Sequence, residues 1–253
     1  MAEKEARLDK YIAESAGITR KEAKLALSKG RVQVNGEVCK SGERKISAVD
    51  TVSLDGKSLK AEEFLYLMLH KPAGVVSATE DGRDKTVLDF VRDQSATEAD
   101  SIGESGFFLG KREVFPVGRL DKDTEGLLLL TDDGELAHRL LSPKKHVDKI
   151  YFARLSGEVP ENAVQRFAEG IQVGQDYKAL PAKLEVLTSG EGRSEVHITL
   201  HEGKFHQVKR MCHEIGCEVT YLKRISMGAL TLDENLKPGE CRRLTAEEIA
   251  LLK

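Results

Sequence analysis

No stretch of this chain approaches the ~18 consecutive apolar residues of a membrane-spanning helix. Its opening, MAEKEARLDKYIAES, lacks the apolar middle of a signal peptide, so a cytoplasmic protein without membrane contact is expected. Cysteine is scarce. Cys39, Cys212, Cys217 and Cys241 show neither CxxC spacing nor the density of a disulfide scaffold, which predicts reduced thiols and no structural zinc. Neither charge sign is in large excess: 39 Lys+Arg stand against 42 Asp+Glu, a formal net charge of -3. That balance argues against a uniformly basic nucleic-acid binder, but patches decide phosphate attraction more than totals do. Residues 1–60 hold 13 Lys+Arg against 9 Asp+Glu, so this end is basic by +4 and the remainder acidic by -7. There is no internal repeat and no low-complexity tract.

What is present suits a globular protein. Hydrophobic residues make up 40% of the chain and charged residues 32%, enough apolar surface for a core. A length of 253 residues accommodates a small domain followed by a larger one. In RLDKYIAESAGITRKEAKLALSKGRVQVNGEVCK, Leu8, Tyr11 and Ile12 recur at helical spacing, and Gly17 breaks that first helix. Thr19 with Glu22 forms a capping box for a second helix, which Gly30 ends. Val32 and Val34 then alternate with polar residues before Asn35-Gly36, a strong hairpin signal. Residues 54–64 are polar without sustained periodicity and are read as a linker, which divides the chain into domains at 1–60 and 61–253.

Beyond that boundary β-like runs dominate. YLMLHKPAGVVSA reads as a strand, a turn and a second strand, TVLDFV as a short helix or turn, and VFPVGRL and GLLLLT as strands around a DKDTE turn. ELAHRLLS is a helix stopped by Pro143, KIYFARL is extended, and ENAVQRFAEG is a helix. LPAKLEVL and EVHITLHEG are strands, KFHQVKRMCHEIG a helix, EVTYLKRISMGALTL extended, and TAEEIALLK a capped helix. Residues 92–112, polar and rich in small side chains, read as a surface excursion. Irregularly interspersed helices without a βαβ cadence predict an α+β fold: a small α/β domain, then a larger domain with a mixed, mainly antiparallel sheet flanked by helices.

Two phosphate or metal motifs fail on inspection. Gly106 to Lys111 mimics a phosphate loop, but has three residues between its glycines and Arg112 after the lysine. Asp121, Asp123, Glu125, Gly126 and Asp132 fall at calcium-loop spacing, yet Pro116 and Gly118 sit where a helix should precede the loop, the apolar GLLLL inside it reads as a buried strand, and no Glu closes it. His138, His201, His206 and His213 show no metal-ligand pattern and read as structural or RNA-facing. Asp121 by itself would pass for a turn cap.

Its company suggests more. HKPAG, GRLDKDTEGLLLLTDDGELAHRL, KIYFARL and HEGKFHQVKRM, in that order from about Phe64 to Leu252, resemble the motifs of RNA pseudouridine synthases, above all the branch acting on small-subunit ribosomal RNA. Residues 5–53 resemble the small RNA-binding domain first described in a small-subunit ribosomal protein. The resemblance implies an isomerase that needs no cofactor or metal and works on ribosomal RNA or an assembling small subunit; a monomer suffices. It implies Asp121 as the central carboxylate, either attacking the substrate or removing a ribose proton, and Tyr151 as the aromatic stacked on the flipped uracil. Lys209 matches the basic partner of the carboxylate. On a helix over 205–215, Phe205, Val208, Met211, Cys212 and Ile215 form an apolar face with Lys209 on its flank and Arg210 nearly opposite. Arg119 is expected to steady the RNA, Lys71 to support the loop or contact substrate, and Arg210 to face water or RNA. Arg20, Lys21, Lys24 and Arg31 are expected to grip phosphates. A large-subunit enzyme and a ribosome-assembly protein without chemistry are the competing readings.

Overall fold

The computed structural model describes residues 5–16, 18–47, 49–59, 64–94, 109, 112–142, 145–175 and 177–252. Gly17, Pro143 and most of the 92–112 excursion, including most of the Gly106 to Lys111 segment, lie outside the described residues. The chain divides into two compact units, an amino-terminal one running to Leu65 and a larger one of Tyr66–Val91 with Val114–Lys253.

The first unit runs β1 (Ala6–Arg7), α1 (Leu8–Ala16), α2 (Arg20–Ser28), β2 (Val32–Val34), β3 (Glu37–Val38), β4 (Lys45–Ile46), β5 (Val52–Leu54) and β6 (Lys57–Leu59). The predicted capping box starts α2: the Glu22 amide donates to Thr19 Oγ1 at 3.2 Å and the Thr19 amide to Glu22 Oε2 at 2.7 Å. Asn35 (φ 55°) and Gly36 (φ 85°) turn β2 into β3 as the sequence predicts. The polar stretch after residue 54 begins otherwise than expected. Asp55 (φ 52°) and Gly56 (φ 79°) form a second two-residue turn, and β6 pairs back on β5 from Val52↔Leu59 to Leu54↔Lys57. The strand escapes a hydrophobicity reading because Lys57 and Ser58 are exposed. Leu8, Ile12, Ala23, Leu27, Val32, Val34 and Val52 form this unit's core.

The larger unit contains β7 (Tyr66–Lys71), α3 (Val87–Gln94), β8 (Phe115–Pro116), β9 (Glu125–Thr131), α4 (Gly134–Leu141), β10 (Lys149–Ser156), α5 (Ala163–Glu169), β11 (Gln172–Val173), β12 (Tyr177–Lys178), β13 (Lys183–Gly190), β14 (Arg193–Leu200), α6 (Gln207–Glu214), β15 (Glu218–Met227), β16 (Leu230–Thr231), β17 (Cys241–Arg243) and α7 (Ala246–Leu252). After KPAG there is no second strand but an isolated bridge, Val76↔Thr86. The main sheet has the order β13-β14-β10-β15-β9-β7-β17. It is mixed and mainly antiparallel, as the α+β reading expects. β14 shows the alternation of a strand with one covered face: Val196, Ile198 and Leu200 are buried while Glu195, His197 and Thr199 are half-buried. Leu127 to Leu130 of β9 are all buried, so β9 is covered on both faces.

One contact positions the site. β15 meets β9 in parallel over just Lys223↔Glu125 and Arg224↔Gly126. Gly126 has φ +107°, and a Cβ there would lie 2.2 Å from the Arg224 carbonyl oxygen. Arg224, 2% exposed, donates through Nε to the Leu127 carbonyl at 2.9 Å and ties the same two strands together.

Candidate active site

The segment from β8 to β9 presents Asp121 on a turn fastened at both ends. Leu120 is buried, its amide donates to Ser77 Oγ at 3.0 Å, and that hydroxyl returns a bond to the Leu120 carbonyl at 3.0 Å. The Thr124 amide donates to the Asp121 carbonyl at 3.1 Å and closes the turn. Beneath it lies Lys71, 0% exposed, whose Nζ donates to the carbonyls of Pro72 (3.0 Å), Lys122 (3.3 Å) and Thr124 (2.8 Å). Burial pulls its pKa down to about 8, against the opposing pull of Asp123, Asp121 and Glu125. Two of these bonds reach the loop and the third its own neighbour in the chain. Lys71 is thus placed to support the loop, and its complete burial leaves it no exposed surface for the alternative expectation of a substrate contact. Because residues 125–131, inside the would-be calcium loop, are strand, the segment does not take the form of that loop.

Asp121, with a side chain 28% exposed, lines a cavity of about 340 Å³ together with Gly118, Arg119, Thr124 and Tyr151. That volume suits a small ligand. Leu200, Leu222 and Val208 supply its apolar walls, and Gly203 to Gln207 close one side. Tyr151, on β10 and 8% exposed, thus shares one enclosure with Asp121, and Arg119 is exposed at its edge.

The cationic partner is shared. Lys209 Nζ lies 3.7 Å from Asp121 Oδ2 but donates to Asp123 at 2.6 and 2.7 Å. The ammonium hydrogen bond, helped by its charge, holds the Asp123 carboxyl below the usual carboxylate range. The predicted proximity of Lys209 to Asp121 is present, yet the tighter bond goes to the neighbour two residues on. His206 is an addition that the motifs do not mark: its Nε2 lies 3.7 Å from Asp121 Oδ1. The available signal is only its place three residues before Lys209 in the same motif.

The helix itself starts later than its periodicity suggests. α6 begins at Gln207, His206 has left-handed backbone (φ 50°), and Phe205 is 69% exposed in the preceding turn. Phe205 therefore leaves the predicted apolar face, which Val208, Met211, Cys212 and Ile215 still form. Arg210 is half-buried with its guanidinium carbon 5.5 Å from the Tyr177 ring centroid, rather than freely in water.

The expected phosphate-gripping residues belong to the other unit. Lys21 and Lys24 are exposed on α2. Arg20 donates to Asp9 at 2.9 Å, and Arg31 forks onto Asp55 through Nε (2.8 Å) and NH2. Asp9 is completely buried; burial alone would raise its pKa, but the hydrogen bonds from Arg7 and Arg20 outweigh it and keep the carboxyl ionised.

Comparison with known proteins accords with this geometry. The family profile described as RNA pseudouridylate synthase matches residues 65–214, and the S4 domain profile matches 6–52. A Bacillus subtilis protein, named as an uncharacterized RNA pseudouridine synthase, is 44% identical over 247 residues, 97% of this chain and 98% of its own. The ribosomal small subunit pseudouridine synthase A of Vibrio cholerae is 41% identical over 245 residues, 96% of this chain and 98% of its own. A crystal structure of a pseudouridylate synthase superposes with a TM-score of 0.64 at 40% identity, covering 98% of this chain and 99% of that one.

Proposed function

The chain belongs to the RNA pseudouridylate synthase family with an S4 domain in front, and from that premise we propose that it isomerises uridine to pseudouridine in small-subunit ribosomal RNA. The substrate follows from the relatives of about 40% identity named ribosomal small subunit pseudouridine synthase A, which align over nearly their whole length. The observation that carries the chemistry is a carboxylate and an aromatic ring, Asp121 and Tyr151, lining one cavity beside the Lys209 ammonium.

The reaction breaks the bond from uracil nitrogen to the ribose carbon, turns the base, and rejoins the same sugar carbon to a ring carbon. That ring carbon loses its proton and the freed nitrogen gains one. Reactant and product contain the same atoms, so no co-substrate is consumed. To reach the cavity the nucleotide must leave its stack, at a cost of a few kcal/mol, and stacking on Tyr151 offsets part of it. Asp121 then serves in one of two ways, by attacking the sugar carbon or by removing a ribose proton, and both need the ionised form. The half-enclosed carboxylate faces the Lys209 ammonium at 3.7 Å.

Small-subunit RNA from cells lacking this protein, incubated with it and mapped for carbodiimide-resistant uridine adducts, is expected to gain an adduct that Asp121→Asn protein does not produce. RNA that binds the wild type without acquiring an adduct would overturn the enzymatic reading.

A further inference from the structure

Phe205 stands out among the described phenylalanines and tyrosines: the others are buried or half-buried, and it is 69% exposed. It is also held still. The turn that carries it is locked by the Lys204 amide donating to Gln207 Oε1 at 2.9 Å and by the Gln207 amide returning to the Lys204 carbonyl at 3.2 Å. Gln207 is buried, and its Nε2 donates to Glu202 Oε1 at 2.6 Å, which roots the turn in the core. Lys204 lies with Nζ 3.7 Å from the Tyr177 ring centroid. The Phe205 ring stacks on His206, with centroids 3.8 Å apart and planes at 18°, so one π-face rests on the imidazole. That imidazole in turn stands 3.7 Å from Asp121, and both Phe205 and His206 line the catalytic cavity.

An exposed ring in a rigid turn contributes little to folding, because its apolar surface stays in water. Its value must come from what covers it. Its neighbours in the turn, Lys204 and His206, are polar groups suited to a polyanion rather than to an apolar protein surface. A flat hydrocarbon face beside a lysine matches the way single-stranded nucleic acid is held, with bases on aromatic rings and phosphates on basic groups. Extruding one nucleotide also strips a stacking partner from each of its neighbours.

We propose that Phe205 is a stacking platform for the nucleobase next to the uridine that enters the cavity. The assignment rests on the RNA-modifying function above and extends it to the flanking nucleotide. Base-on-aromatic stacking changes affinity on the order of ten- to a hundredfold per base. His206, squeezed between the platform and Asp121, links the seating of that neighbour to the reacting group.

The chain contains no tryptophan, so Phe205→Trp introduces a single emitter at the platform. Saturating this variant with a small-subunit RNA transcript is expected to quench its emission by about half or more, whereas heparin, a polyanion without bases, leaves it unchanged. In single-turnover assays Phe205→Ala and Phe205→Leu should each lose about tenfold or more, with unchanged melting temperatures, and Phe205→Trp should restore the rate. Emission that stays constant while filter retention shows the RNA bound would overturn the platform. So would equal quenching by heparin, or full activity of Phe205→Leu, which keeps apolar bulk without a π-face. Wild-type protein that forms no pseudouridine would instead remove the parent function, and the emission readout would still decide the platform.

Discussion

Lys71 shows how much a site can depend on a residue with no exposed surface. Its three donors hold three carbonyls around the turn that carries Asp121. Lys71→Met would leave those carbonyls without their donor; an expected loss of about 2–4 kcal/mol in urea unfolding follows, with a larger fall in turnover as the turn loosens. The lowered pKa has a definite sign. Burial takes the group to about 8 in the folded chain, below its ordinary 10.5, so between those values the unfolded chain binds the proton more strongly. Stability from this group therefore rises as pH climbs through that window and is lowest beneath it. The urea midpoint of Lys71→Met protein should climb less between pH 7.5 and 9.5 than that of the wild type; equal changes would refute the burial effect. The sequence order of the motifs marks Asp121, Tyr151 and Lys209, but not that Lys209 bonds Asp123 more tightly or that His206 stands beside Asp121. Those choices are made by a helix 86 residues away in the chain from the acid it serves, and no local pattern encodes the distance.

At the scale of elements, α2 separates two kinds of basic residue. Arg20, at its start, serves the buried Asp9, so removing it disturbs the fold as well as any phosphate contact, and Arg31, beyond its end, is already forked onto Asp55. Lys21 and Lys24 are exposed on the same helix and provide the cleaner test. Lys21→Ala with Lys24→Ala should keep the melting temperature and weaken RNA binding, with the slope of log affinity against log salt shallower by about 0.7–0.9 for each phosphate that the helix no longer neutralises. An unchanged slope would remove α2 from the RNA-binding surface. Elements with a local chemical cause are legible in the sequence: the Thr19–Glu22 box, the Asn35-Gly36 turn, and the alternation in β14. The β5–β6 hairpin is hidden because its second strand is polar outside, although Asp55-Gly56 is itself a hairpin turn. The start of α6 departs from its periodicity because Phe205 continues the helical period while the left-handed His206 ends it.

For the whole molecule, the formal charge of -3 masks the opposite signs of its two parts. Affinity for ribosomal RNA should still fall roughly tenfold or more between 50 and 200 mM salt, since local phosphate contacts govern that dependence. Filter-binding titrations would measure it, and salt-independent affinity would contradict an electrostatic grip. The mainly antiparallel sheet is readable as a class, but not its order, because the two-pair junction between β9 and β15 joins residues about 98 apart along the chain.

That junction admits no side chain at Gly126. A methyl group there would act as a wedge, prising the strand that flanks β10 and Tyr151 away from the one that follows Asp121. Gly126→Ala protein with its first unit intact should still occupy RNA while failing to bring acid and ring together. Mixed with the wild type on limiting RNA it should slow product formation, a poison rather than a bystander, and a lack of competition would show that the spacing matters less than the bare backbone contact suggests.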